Sequence, residues 1–450
     1  MTHRLVLTGA TVVDPPADAD LVDRDGDPPP AAPALRRVDV HIGDGIVTAV
    51  TEPGAGTDTD AAPGGDTADP VTVQDLSGML LLGAAADPHT HLDKALSADR
   101  VVNVAGDLTG AIDAWMRYRV DATVADMADR ATRAVEMLVA NGVTAVRTHV
   151  DLGEGIGVRA AEALAETRER MGHLVTMQVV GLPTCPVTGD DGAVNRADLL
   201  TAVERGLIDL VGGAPAIDPD PHGAIDWLLD LAQGTGLDVD FHIDETLDFD
   251  MLSLEHLARR VMERGFDNRV TASHCVSLGM QSPWDQQRVA RAVAEAGIGV
   301  ITLPQTNLFL QARGVTTAPP RGLTAIGMLR GAGVAVAAGA DNIQDPFNPM
   351  GRADPFETAS LLVSAGHRLP EVGWAMVSDD ARTVMGLPPA GPVVGRRADL
   401  VAVGAASLRE AVASGPTARR TWVAGRLVAE RTVAGGLLEK TGEESDEAET

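Results

Sequence analysis

Apolar positions follow three regimes along the chain. Between residues 4 and 50 they alternate over short spans: Leu5 and Leu7, then Val12-Val13, and later Val38, Val40 and Ile42. Period two of this kind predicts half-buried strands, and Gly43-Asp44-Gly45 predicts a turn into a further strand at Ile46–Val50. Two polar stretches interrupt them, Ala17–Arg36 rich in Pro and Asp, and Thr51–Pro70 rich in Gly, Asp and Thr. Both read as loops.

From Met79 to about Leu387 the rhythm changes. Strand-type apolar runs occur at Met79–Ala86, Thr144–Thr148, Thr176–Leu182, Ile208–Gly212, Val239–Ile243, Val270–Ser273, Gly299–Leu303 and Val334–Ala340. The later centres are about 30 residues apart, the length of a strand–helix unit with its loops. Helical patterns fill the gaps. In Thr123–Asn141, Val124, Met127, Ala131, Val135 and Leu138 share a face, with Thr123 and Asp126 as a capping pair and Gly142 as the stop. Asp285–Ala296 follows the same logic and stops at Gly297. This alternation predicts a parallel (β/α)8 barrel. A doubly wound sheet fits less well, because no glycine-rich phosphate loop follows the first strand.

The first step between runs is about twice as long as the others. It predicts an excursion after the first barrel strand, including Gly106–Tyr118 with Trp115 and the single tyrosine, placed to cover the active face. Beyond the barrel, Gly395–Val403 and Arg420–Val428 read as strands that join the N-terminal ones in a small composite β-sandwich. The expected division is therefore 1–75 and 388–432 for the sandwich, 76–387 for the barrel, and 433–450 for an acidic solvated tail.

Charge and composition then remove whole classes of function. Sixty-four acidic against 36 basic residues give a net charge of −28, the wrong sign for nucleic acid or an anionic membrane surface. Two cysteines exclude a disulfide scaffold. No apolar run approaches the roughly 18 residues of a membrane-spanning helix. Leu5–Val13 is too short for a signal peptide, is broken by Thr8-Gly9, and leads into Asp14-Pro15-Pro16. The expected location is the cytoplasm, and a homo-oligomer stays open.

The candidate chemistry sits at strand ends. His89-Thr90-His91 follows the first barrel run, and residues two apart on a strand project to one side, so both imidazoles can meet one metal. His242 ends the fifth run, His274 the sixth and Asp341 the eighth. A lone buried histidine is usually structural, but these positions converge on one barrel mouth. Three imidazoles and a carboxylate make a mixed nitrogen and oxygen donor set suited to one Zn²⁺ or Fe²⁺. Glu245, three residues after His242, is placed to move a proton beside that metal. His149 reads equally as a support for the site or a strand-end histidine. Lys94, one of only two lysines, reads best as an ion pair with a loop carboxylate. Cys185 and Cys275 read as small buried hydrophobes. The remaining histidines, including His222 and His256, show no partner pattern.

Asp87-Pro-His-Thr-His-Leu-Asp93, His242-Ile-Asp-Glu245, Ala272-Ser-His274 and Gly339-Ala-Asp341-Asn-Ile-Gln-Asp-Pro-Phe347 resemble the amidohydrolase superfamily. The likeness is strongest to its branch of bacterial cytosine deaminase and N-isopropylammelide aminohydrolase. Arg147-Thr-His-Val-Asp151, Asn307–Arg313 and Arg321-Gly-Leu-Thr324 extend it over about residues 75–430. The resemblance implies His89, His91, His242 and Asp341 as metal ligands, Glu245 as the acid/base and His274 as a polariser of the attacking water. Relatives with two metals carry a carboxylated lysine at the fourth strand end. Val211-Gly-Gly-Ala-Pro215 stands there here, which implies one ion.

Departures from the branch bear on the substrate. Its cytosine enzymes carry Phe-Pro-Gln after the third strand, where this chain has Leu182-Pro183-Thr184. Threonine is too short for the donor and acceptor pair an amide offers. Asn342 replaces a second aspartate and Phe347 a tryptophan. Asparagine in that place resembles relatives that hydrolyse substituted amino-triazines. Thr184, Asn342, Phe347 and Leu182 are thus the candidate substrate contacts. The resulting expectation is a metal-dependent deaminase of an aminated nitrogen heterocycle, not specific for cytosine. Hydrolysis of an N-alkylamino-triazine or a cyclic amide is the rival chemistry, and an inactive scaffold of the same fold the rival class. Deaminases of the other nucleobase fold are excluded, since no His-x-Glu is paired with Pro-Cys-x-x-Cys.

Overall fold

The computed structural model describes residues 4–13, 34–55 and 71–432. The acidic tail and most of the two polar loops read above lie outside the described residues.

Each of the apolar runs becomes a strand, and one becomes two. Met79–Ala86 divides at Ala84 into β5 (Leu80–Gly83) and β6 (Ala85–Thr90). The reason lies in the backbone partners on either side of the break. Ala84 N–H donates to Asp399 O at 3.1 Å, in the sheet of the chain ends, whereas Ala85 N–H donates to Gly142 O at 3.0 Å, in the barrel. One apolar run therefore serves two sheets, a change of partner that hydropathy does not mark.

The barrel comprises β6, β7 (Val143–Leu152), β8 (Thr176–Pro183), β9 (Leu210–Gly213), β10 (Asp238–Ile243), β11 (Val270–His274), β12 (Gly299–Thr302) and β13 (Val336–Ala338). They pair in sequence order, every ladder parallel. Closure runs through a bridge between Thr90 and Asp341, with Asp341 N–H on His89 O at 2.9 Å and His91 N–H on Asp341 O at 3.1 Å. Gly339 makes this seam possible. A Cβ there would lie 2.8 Å from Asp87 Oδ1 and 2.9 Å from His89 O.

Helices cover the barrel as the sequence periods predict. The helix Val124–Ala140 begins where the Thr123 side chain accepts from Asp126 N–H, and buries Met127, Ala131, Val135 and Leu138. Gly142, at φ +97°, turns the chain into β7. The excursion after β6 forms a helix, α1 (Leu108–Arg119), capped by Asp107. Among the described residues no helix is long and apolar enough to cross a membrane.

Both chain ends build the second sheet. It comprises β1 (Arg4–Val13), β2 (Leu35–Gly43), β3 (Ile46–Thr51), β4 (Val71–Asp75) and β5 with β14 (Leu400–Val403), β15 (Arg419–Val423) and β16 (Arg426–Arg431). The apolar pattern of β1 explains its register: Leu5 and Leu7, then Ala10 and Val12, keep one face because the ladder shifts between Leu7 and Ala10. These side chains share a core with Val38, Val40, Leu400 and Trp422. Two features differ from the sequence reading. Arg420–Val428 is a hairpin and not one strand, turned by Ala424 at φ +48° and Gly425 at φ +74°. The edge strand β4 carried no signal, because it is exposed along most of its length.

Candidate active site

A polar column rises through the barrel to the site. Arg147, fully buried on β7, donates from Nη1 to Asp240 Oδ2 at 2.7 Å and to Thr271 Oγ1 at 3.0 Å, and from Nε to Gln178 Oε1 at 3.0 Å. Asp240 Oδ1 accepts from Ser273 Oγ at 2.9 Å. With its proton spent there, Ser273 accepts from His89 Nδ1–H at 2.8 Å. His89 Nε2 is left as a bare lone pair, buried and without a hydrogen-bond partner among the described residues. His274 is arranged the same way: Asn307 Oδ1 takes Nδ1–H at 3.0 Å, and Nε2 is buried without a partner. Partners of this kind fix the tautomer that metal ligation needs.

The ring nitrogens and the carboxylate converge. His91 Nε2 lies 3.1 Å from His242 Nε2 and 3.3 Å from Asp341 Oδ1, while His89 Nε2 lies 3.7 Å from the same oxygen. His274 Nε2 is 4.0 Å from Asp341 Oδ2, which has no hydrogen-bond partner. Ligands held at about 2.1 Å around a tetrahedral ion stand roughly 3.4 Å apart, so the spacings suit one cation. Protonation states agree. Burial first, and neighbouring charged groups second, hold His89, His91 and His242 well below the usual imidazole range, and burial brings His274 down to about 4. Neutral imidazoles are the metal-binding form. Asp341 goes the other way: burial, then Glu245 and Asp345, push its carboxyl well up.

Backbone strain collects at the same strand ends. Asp244, His274, Cys275 and Asp341 all have φ between +49° and +68°, the left-handed region that costs non-glycine residues energy. Surrounding hydrogen bonds hold them there. Asp244 accepts from Ser253 N–H and Leu254 N–H, both at 3.0 Å, which pins the turn carrying Glu245. Glu245 Oε1 stands 3.6 Å from His274 Nδ1, and burial pushes its carboxyl up to about 8. Asp87 accepts from Ala340 N–H at 3.1 Å and so ties β6 to the strand end bearing Asp341.

Over these groups opens a cavity of about 630 Å³. His91, His242, Glu245, His274, Asp341, Leu182, Thr184, Asn342 and Phe347 all line it, and His89 lies beside the other imidazoles. The structure thus brings every candidate residue of the sequence reading to one place. It also locates the uncertain ones. His149 packs against His89, centroids 4.0 Å apart and rings tilted by 31°, and does not line the cavity. Lys94 pairs with Asp151 Oδ1 at 2.6 Å and Asp93 Oδ2 at 3.3 Å. Cys275 is buried and Cys185 half-buried, with burial raising both thiols, Cys185 to about 12. His222 and His256 stack on each other at 3.9 Å, a pairing with no signal in the sequence.

The excursion expected to cover the active face with Trp115 does line the cavity, and its helix adds residues that motif reading missed. Leu108, Ile112, Trp115, Met116 and Arg119 of α1 line the cavity wall. Trp115 Nε1–H donates to Asp151 Oδ2 at 2.8 Å, and Arg119 Nη1 to the same oxygen at 3.0 Å. The available signal was an arginine on the apolar stripe of an otherwise amphipathic helix.

Comparison with known proteins agrees with this geometry. The amidohydrolase family model matches residues 122–429. A pterin deaminase of Rhizobium rhizogenes is 33% identical over 404 residues, covering 88% of this chain and 87% of that protein. The chain belongs to the amidohydrolase family. This amidohydrolase is also 26% identical over 355 residues to N-isopropylammelide isopropyl amidohydrolase of Pseudomonas sp. strain ADP, covering 75% of this chain and 83% of that one. Its fold superimposes on 5-methylcytosine deaminase of Klebsiella pneumoniae liganded with 5-fluorocytosine, with a TM-score of 0.80, 26% identity and coverage of 97% and 99%. As an amidohydrolase with deaminase relatives, it is a hydrolytic enzyme of C–N bonds.

Proposed function

We propose that this amidohydrolase is a metal-dependent deaminase of a fused, amino-substituted nitrogen heterocycle of the pterin class. The observation that carries the reading is the set of unpartnered imidazole and carboxylate atoms grouped beside a cavity that the Glu245 carboxyl also lines. The cavity volume of about 630 Å³ falls within the range of about 300–1,000 Å³ typical of small-molecule sites and leaves room for two fused rings. Similarity to a pterin deaminase along most of both chains supports the same substrate class.

His89, His91, His242 and Asp341 would hold one divalent ion, Zn²⁺ or Fe²⁺, with His274 at its edge. Such an ion supplies Lewis acidity that lowers the pKa of water towards about 7. The rest is the work of side chains. Asp341 and His274 orient the attacking water through Oδ2 and Nε2, the atoms without protein partners. Glu245 takes the proton that water loses and gives it to the ring nitrogen next to the attacked carbon. The C–N bond to the exocyclic amine then breaks, the second water proton leaves with the amine, and the products are ammonia and a ring carbonyl. A carboxyl held near neutral pKa suits this two-way transfer. Phe347 and Trp115, which pack in one apolar cluster, offer the ring a flat wall.

A panel of pterin, guanine, cytosine and an N-alkylamino-triazine, assayed for released ammonia or amine, tests the proposal. Pterin should be turned over best, with cytosine below a kcat/KM of ~10⁴ M⁻¹s⁻¹, the lower end of ordinary enzymes. Ring opening without ammonia would replace deamination by cyclic-amide hydrolysis. No turnover on any member by metal-loaded protein would refute the proposal.

A further inference from the structure

One short helix, Pro304–Leu310, follows β12 and reaches several groups of the proposed reaction at once. Its Thr306 and Asn307 are buried. Thr306 Oγ1 donates to Asn342 Oδ1 at 3.2 Å, and Asn307 Oδ1 accepts from His274 Nδ1–H at 3.0 Å. Gln311, at the helix C-cap, donates from Nε2 to the backbone carbonyl of Glu245 at 3.3 Å. Gly322, at φ +66°, leaves room for this end of the helix. A Cβ there would stand 2.8 Å from Gln311 Cβ and 3.3 Å from Asn307 O. The stretches Asn307–Arg313 and Arg321–Thr324 thus both bear on His274 and Glu245.

A neutral imidazole has one N–H, and two acceptors stand near the one on His274. Asn307 Oδ1 holds it at 3.0 Å, while Glu245 Oε1 waits at 3.6 Å. The Glu245 carboxyl makes no hydrogen bond to another described residue and lines the cavity. We infer that Asn307 is a positioning residue, whose amide oxygen takes the Nδ1 proton of His274 and so keeps the Glu245 carboxyl free to carry protons between water and ring. The inference rests on the deaminase reading for what Glu245 does, and on geometry alone for what Asn307 holds. Without the amide, Glu245 Oε1 would need to come only about 0.7 Å nearer to bind that proton at ordinary length. A carboxylate would do so readily, since a charge-assisted bond is about twice as strong as a neutral one. One oxygen would then point at His274, and the carboxylate would be a weaker base, because the bond favours its charged form. Asn307 Nδ2 is buried without a partner among the described residues, so the amide is kept for its oxygen.

A double-mutant cycle and a crystal structure test the assignment on full-length protein. Asn307→Leu matches the amide in size and removes the acceptor. Its kcat for pterin should fall about 10–100-fold, part of the 10²–10⁴-fold that general acid–base catalysis supplies. KM should stay within about threefold, because the lost interaction acts on the chemical step. Metal content by elemental analysis should equal that of wild type, since His274 keeps its Nδ1 proton. In the Glu245→Gln background the same substitution should change the residual turnover by no more than about twofold, because residues acting through one group are not additive. The crystal structure of Asn307→Leu should show Glu245 Oε1 drawn to about 3 Å from His274 Nδ1. Asn307→Ala, which also removes the acceptor, takes its place if Asn307→Leu does not fold. An equal fall in both backgrounds, loss of metal, or a Glu245 carboxyl still 3.6 Å or more from His274 would overturn the inference. Absence of pterin turnover by wild type fails the deaminase reading alone, and the crystal structure still decides whether Asn307 holds the proton away from Glu245.

Discussion

Glu245 is the residue on which the proposed chemistry turns, and its position separates it from its neighbours. The close groupings of donor atoms among the described residues include His89, His91, His242, His274 and Asp341 but not Glu245. Glu245→Gln should therefore keep its metal and lose about 10²–10⁴-fold in turnover, the range of general acid–base catalysis. His242→Ala should weaken metal binding itself, and elemental analysis of both variants separates the two roles. Asp151 makes a different prediction, about acid. Burial alone would raise its carboxyl, but Lys94 and Arg119 outweigh burial and hold it at about 2 against an ordinary 3.8. A depressed carboxylate contributes stability that is present above its unfolded value and lost as pH falls through the folded one. Wild type should lose about 2 kcal/mol from this source between pH ~4 and ~2. Urea titrations at stepped pH should show Asp151→Asn lacking that increment. An identical acid slope in both proteins would remove Asp151 from the account.

At the level of elements, the seam between β6 and β13 positions the site. Asp341 follows β13 at φ +63°, bridged to Thr90, and its neighbour Ala340 is fastened to Asp87. Gly339 lets the two backbones approach. Gly339→Ala should cost about 1–3 kcal/mol, the usual penalty for overpacking, since the new methyl meets a backbone carbonyl as well as Asp87. Metal affinity should fall with it, because His89 and Asp341 flank the seam. Denaturation midpoint and metal dissociation measured together would check this, and a stable variant of unchanged affinity would show that the seam has slack. The α1 helix is the other deciding element. The sequence placed Gly106–Tyr118 over the active face without assigning it a helix, and nothing local shows that Arg119 meets Asp151 of β7.

For the molecule as a whole, the chain-end sheet and the barrel are stitched by buried ions. Arg382, on the last helix before β14, donates to Asp399 Oδ2 at 3.1 Å and to Thr144 Oγ1. Arg419 of β15 reaches Asp354 Oδ2 at 2.7 Å. Removing one partner of the buried Arg382–Asp399 pair typically costs about 3–5 kcal/mol, which couples the two sheets in stability. The barrel also bears on the proposed single ion. β9 ends in Gly212-Gly213, buried and free of any lysine, so no carboxylated side chain can bridge two ions there. Elemental analysis of active protein should give one ion per chain, and a reproducible ratio near two would refute the single-ion site.

What the sequence determined by itself was whatever short-range periodicity and residue chemistry encode. Eight apolar runs, the later ones about 30 residues apart, call for a parallel sheet buried on both faces, and the lack of a glycine-rich phosphate loop favours the closed barrel over the open sheet. His89, His91, His242, His274, Glu245 and Asp341 announce themselves by falling at strand ends, where side chains must meet. Tertiary structure alone decided the rest, because it depends on pairs far apart in the chain. The switch of sheet at Ala84 is set by Asp399 and Gly142, the tautomer of His89 by Ser273 and Asp240, and the seating of α1 by Arg119 meeting Asp151 and Thr184. No local pattern records those encounters, since each partner alone is an ordinary residue on an ordinary strand or helix.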